Sequence, residues 1–139
     1  MATAEVKTTI LNDIASWGVR AVIGVVFIVH GYGKLANEGF AGWLPSLGIP
    51  SELAMLIILA EIIPGIFMIV GVLTRISASV ISIIMVGAIF HVKGAANFTG
   101  EGAIEFDLIL LAASLLVIVA GPGRASIAHI VKKIPRPLH

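Results

Sequence analysis

The chain has 139 residues, of which 58% are hydrophobic and only 12% charged; it carries a net charge of +1 and no cysteine. That charged fraction is about half of what soluble domains use, too little to cover a core with a polar skin, and the mean hydropathy of +1.08 agrees. The missing thiols exclude disulfide exchange, thiolate catalysis and cysteine-ligated clusters within this chain.

The leader, Met1 to Gly18, sets Glu5 and Asp13 beside Lys7, which makes a poor basic n-region. His30-Gly31-Tyr32 stands where a small-residue cleavage site would follow Val29, so the first apolar segment is expected to be retained. That segment runs from about Val19 to Leu35 and carries Arg20, His30 and Lys34. A second runs from Leu53 to Thr74 with one charge, Glu61; a third, Ile76 to Val92, ends with His91. The fourth, Phe106 to Ala120, is bounded by Asp107 and the turn Gly121-Pro122-Gly123. A spanning helix needs roughly 20 mostly apolar residues, so only the second is comfortable, yet four such segments in series fit nothing soluble. Loop one, Ala36 to Glu52, holds Phe40, Trp43 and Leu44 and suits an interfacial segment. Loop three, Lys93 to Glu105, is rich in Gly, Ala and Asn and suits a flexible lid.

With four spans, the N-terminus, the Leu73–Ile76 turn and the C-terminal tail share one side. That side holds Lys7, Arg20, Arg75, Arg124, Lys132, Lys133 and Arg136, seven of the nine basic residues. The positive-inside rule makes it cytoplasmic. The expected fold is therefore an all-α membrane protein: a single domain over residues 1–139, a four-transmembrane-helix bundle with both termini cytoplasmic. Its expected surroundings are the lipid bilayer of the cell membrane, crossed several times, and no nucleic-acid partner is expected.

Charged groups inside a membrane are costly and by default face protein. On helix one, Arg20, Gly24, Phe27, Gly31 and Lys34 recur at helical spacing, with His30 beside them; the glycines allow another helix close approach. Helix two places Glu61, Gly65, Met68, Val72 and Arg75 on one stripe, and helix three Ala78, Met85, Ala88 and His91. His30 lies ~8 Å and Glu61 ~12 Å from the outer helix ends at 1.5 Å per residue. Lys34, His91 and Glu105 sit at or near those ends. These five form one polar layer in the outer half of the membrane and are the candidate catalytic residues, with His30, Glu61 and His91 the candidate cofactor contacts. Arg20 and Arg75, at the inner ends, suit snorkelling to headgroups or capping of helix two.

The layer admits two readings. Its members neutralise one another, Glu61 with Lys34 or His30 and Glu105 with His91, and only fix packing. Alternatively they carry chemistry, since histidine titrates near neutral pH and relays protons. An apolar pocket with a few convergent donors suits a quinone headgroup, whose carbonyls accept from His or Lys while a carboxylate handles protons. No local metal motif exists, because every ligand would come from a different helix; a metal is not required and stays open.

The order Arg20…Phe27…His30-Gly31…Lys34-Leu35…Gly39-Phe40, then Glu61…Gly65…Gly71…Thr74-Arg75, resembles the DoxX family of small four-helix membrane proteins. The likeness continues through Met85…His91, Glu105, Leu110-Leu111-Ala112 and Gly121-Pro122-Gly123-Arg124…Ser126, departing at Ala128, where many relatives are acidic. The family is similar to a membrane subunit of a thiosulfate:quinone oxidoreductase. The resemblance implies a membrane subunit of a redox complex, a quinone-linked oxidoreductase acting with a partner redox protein or as a homo-oligomer. Its alternative implication is a non-catalytic assembly or anchoring subunit.

Overall fold

A computed structural model describes residues 9–94, 99 and 104–121. Most of the expected lid in loop three, and the basic tail from Pro122 onward, lie outside the described residues. Among those residues the protein is all-helical, in the order α1 (Ile10–Ala36), α2 (Phe40–Trp43), α3 (Ala54–Val70), α4 (Thr74–Gly87) and α5 (Glu105–Ala120). Short 3-10 turns at Leu44–Leu47 and Ser51–Leu53 join α2 to α3.

Helix α1 begins nine residues ahead of the hydropathic edge at Val19. Thr9 starts it as an N-cap, its side chain accepting from the Asn12 N–H at 3.3 Å, and Asp13 complements the dipole in the first turn. Residues such as Asn12, Asp13 and Ser16 hide this extension from a hydropathy reading. Helix α3 tolerates the buried Pro64 in its interior and ends at Gly71, whose φ of 76° is left-handed. Three residues then reverse the chain, and Leu73 takes a φ of 46°, a conformation that a branched side chain rarely adopts. Helix α4 does not stop at Gly87. It widens into a π-helical turn over Ala88–Val92, where the Lys93 N–H bonds five residues back to the Ala88 carbonyl at 3.0 Å.

The long helices pack as two antiparallel pairs, α1 on α3 and α4 on α5, with the pairs tied by the α3–α4 turn and touching thinly between α1 and α5. Ile23, Phe27, Met68, Ala78, Ile81, Met85, Leu110 and Val117 form the core between them. A second cluster, Phe40, Leu44 and Ile58, seats α2 and its following turn against α3. The outward faces are as apolar as the core: Val22, Val25, Val29, Ile83, Ile109, Leu116 and Val119 are all exposed. Water would penalise such a surface heavily, whereas lipid accepts it. Among the described residues three helical stretches, Ile10–Ala36, Ser51–Val70 and Thr74–Val92, are long and apolar enough to cross a membrane. Helix α5 is equally apolar in character but has 16 residues, ~24 Å of helix.

Candidate functional site: a polar cavity at the Lys34 end of the bundle

Because the helices alternate in direction, the C-terminal ends of α1 and α4 meet the N-terminal parts of α3 and α5. At that end they enclose a cavity of about 430 Å³. Its walls are mostly apolar, with Phe27 from α1, Phe40, Trp43 and Leu44 from α2 and its turn, Met85 from α4, and Phe106 and Leu110 from α5. Into it come His30 and Lys34 of α1, Glu61 of α3, His91 of the π-helical turn, Lys93 just beyond it, and Asp107 of α5.

Lys34 and Glu61 form an ion pair and hydrogen bond between α1 and α3. The Glu61 carboxylate is only 2% exposed; Oε1 holds the lysine and Oε2 is buried without a hydrogen-bond partner. The Lys34 ammonium also lies 5.5 Å from the centroid of the Phe40 ring, a cation–π contact that steers it toward α2. A second pair, Lys93 Nζ to Asp107 Oδ2 at 2.7 Å, links the end of the α4 segment to α5. Each of the two helix pairs thus carries its own lysine–carboxylate bridge, and the cavity lies between them.

Both histidines are oriented by backbone carbonyls, which can only accept, so the ring nitrogen facing each carbonyl carries the proton. His30 Nδ1 donates to Val26 O at 2.7 Å, and its ring stacks on Phe106 across the α1–α5 seam, centroids 6.3 Å apart at 27°. His91 Nε2 donates to Leu47 O at 2.6 Å and so fastens the turn after α2 over the cavity. In each ring the other nitrogen has no hydrogen-bond partner among the described residues.

Of the five residues expected in the polar layer, His30, Lys34, Glu61 and His91 line this one cavity. Glu105 does not: it is exposed at the start of α5 and absent from the lining. Two residues along a helix is ~200° of rotation, so when Glu105 points away, Asp107 points in. The pairing of Glu105 with His91 is replaced by Asp107 with Lys93, and His91 bonds a carbonyl. A signal for Asp107 was present, because Asp107, Leu110, Ser114 and Val117 recur at helical spacing and are the buried stripe of α5. Lys93 had no periodic signal, since it lies past the last regular turn.

The opposite end of the bundle is built on Arg20. It is fully buried, and Nη1 donates to Met68 O at 2.8 Å, while Trp17 Nε1 donates to Ile69 O at 3.2 Å. Two of the last carbonyls of α3 are thereby capped from α1, one of the two roles the sequence allowed for Arg20.

The sequence profile of the family described as DoxX matches residues 16–94. The Bacillus subtilis (strain 168) protein named "Putative oxidoreductase CatD" is 34% identical over 110 residues, covering 78% of this chain and 81% of that protein. "Inner membrane protein YqjF" of Escherichia coli (strain K12) is 29% identical over 131 residues, 88% of this chain and 96% of that protein. "Uncharacterized membrane protein Rv3486" of Mycobacterium tuberculosis (strain ATCC 25618 / H37Rv) is 31% identical over 130 residues, 83% of this chain and 80% of that protein. No solved structure matches the chain. With this coverage, and with several helices built to face lipid, the chain belongs to the DoxX family and is a multi-pass membrane protein.

Proposed function

We propose that this chain is the membrane subunit of a redox complex and that its cavity holds a quinone headgroup and moves protons to or from it. One observation carries the reading. A mostly apolar cavity of about 430 Å³, within the size range of small-molecule sites, receives two imidazoles, two lysines and two carboxylates from four helices. Neutralising charge alone needs one lysine–carboxylate pair per helix pair; the two histidines exceed that need. The name of the Bacillus subtilis relative speaks of an oxidoreductase, which supports the same class of chemistry here. The topology in this reading has α5 as a fourth span, both termini on the cytoplasmic side and the cavity in the outer half of the bilayer. The basic residues favour it, with seven of nine on the cytoplasmic side. Cysteine-ligated clusters being excluded, electrons pass through a partner redox protein.

A second reading, an assembly or anchoring subunit, is favoured by the two ion pairs, since Lys34–Glu61 and Lys93–Asp107 each staple two helix segments. Organic extraction and mass spectrometry of protein purified in mild detergent separates the two. A stoichiometric quinone in the wild type, lost from a folded His30→Ala variant, is the expected result. No quinone in any sample, with a variant that unfolds or sheds a partner, would leave the anchoring role.

A further inference from the structure

The hydrogen-bonding state of Glu61 distinguishes between the two redox forms of a ring ligand. We propose that the cavity binds the reduced, dihydroxy form of its ligand in preference to the quinone. The inference rests on the cavity being a site for such a ring.

An ionised carboxylate is a pure acceptor with room for several donors. Glu61 lines the cavity and is 2% exposed, yet only Oε1 has a donor, the Lys34 ammonium; Oε2 has none. The other ionisable donors at the cavity are engaged elsewhere, His30 Nδ1 with Val26, His91 Nε2 with Leu47 and Lys93 with Asp107, and neither they nor the Trp43 indole N–H bonds Glu61 Oε2. The terminal torsion of a glutamate is soft, so either oxygen can turn to the cavity while the other keeps the lysine. What the site lacks is therefore a donor brought by the ligand.

A quinone brings only acceptors. Its carbonyls can take a spare proton of Lys34 but leave the second Glu61 oxygen unmatched. A ring hydroxyl serves both halves of the pair at once, donating to Glu61 and accepting from Lys34. Leaving a buried charged acceptor unpaired is costly enough to shift affinity by about tenfold or more.

The test is anaerobic titration calorimetry of the detergent-solubilised protein with decylubiquinol, decylubiquinone and the dimethyl ether of the quinol. The ether keeps the reduced ring and removes both donors. The quinol is expected to bind about tenfold or more tightly than either of the others. Glu61→Gln should abolish that preference while keeping or improving quinone binding, because the amide offers the ligand an N–H and can keep its carbonyl on Lys34. Equal affinity for quinol and ether in the wild type overturns the inference and leaves the ring site standing. Failure of all three to bind removes the ring site and the inference together. Where Glu61→Gln does not fold, the wild-type comparison of quinol with ether decides alone.

Discussion

Gly24 on α1 and Gly65 on α3 meet backbone to backbone. A Cβ on Gly24 would stand 2.4 Å from the Gly65 carbonyl oxygen, and one on Gly65 would stand 2.9 Å from that of Gly24. Real Cβ atoms do not come so close, and a backbone carbonyl cannot step aside as a side chain can. Gly24→Ala and Gly65→Ala should each cost about 1–3 kcal/mol through separation of the two helices. Gly33, on the same helix with nothing near its Cβ position, is the control; Gly33→Ala should be neutral or gain up to ~1 kcal/mol of helix propensity. Thermal unfolding in detergent checks the contrast, and equal melting points for Gly24→Ala and Gly33→Ala would refute it.

The Lys93–Asp107 bridge has one buried partner, Asp107 at 7% exposure, and one that reaches the surroundings. It should lie between an exposed pair, worth under ~1 kcal/mol, and a buried one whose breakage costs ~3–5 kcal/mol. A double-mutant cycle with Lys93→Met and Asp107→Asn is expected to give a coupling energy of about 1–2 kcal/mol. Asp107→Asn should be worse than Glu105→Gln, because Glu105 is exposed and does not line the cavity. A Glu105 variant that equals Asp107→Asn in its effect would contradict this register.

The sequence exposed some features of this protein and hid others for identifiable reasons. Helical stripes are legible when ionisable and small residues repeat at three and four, and so His30, Lys34 and Glu61 could be assigned to a common layer, and Gly24 to a helix contact, whereas Gly65 as its partner emerges only from the packing. The register of α5 was harder, since Glu105 and Asp107 both head an apolar run and only the later stripe tells which one turns inward. His91 was legible as a polar residue at a helix end, but its bond to Leu47 depends on a π-helical turn and on a turn far away in sequence. The first helix was underestimated because hydropathy averages over residues 9–18, where a capping threonine and a short polar face carry the helix instead.

Arg20 is fully buried and gives the Met68 carbonyl a donor at a helix end that has none of its own to offer. Arg20→Met keeps apolar bulk and removes the guanidinium, so it should lower stability by about 1–3 kcal/mol by orphaning that carbonyl. Trp17→Phe removes a longer bond at the exposed edge of the same cap and should cost less than ~1 kcal/mol. Denaturation monitored by circular dichroism in matched micelles ranks the two. A Trp17 effect larger than the Arg20 effect would show that the cap is held from the rim and not from the buried arginine.

His91 holds the turn after α2 in place through Leu47, and α2 enters that turn from Trp43 at the edge of the cavity. Removing the ring in His91→Ala should free the turn, and Trp43 should become more accessible to a quencher such as acrylamide. The chain has two tryptophans, so a Trp17→Phe background leaves Trp43 as the only reporter. His91→Gln restores an N–H donor without an imidazole and is expected to recover the quenching of the parent protein. If both variants quench like the parent, the hydrogen bond does not position the turn. If glutamine restores the turn but not ligand retention, the imidazole serves the ligand as well as the turn, through Nδ1, the nitrogen that the Leu47 bond leaves unengaged.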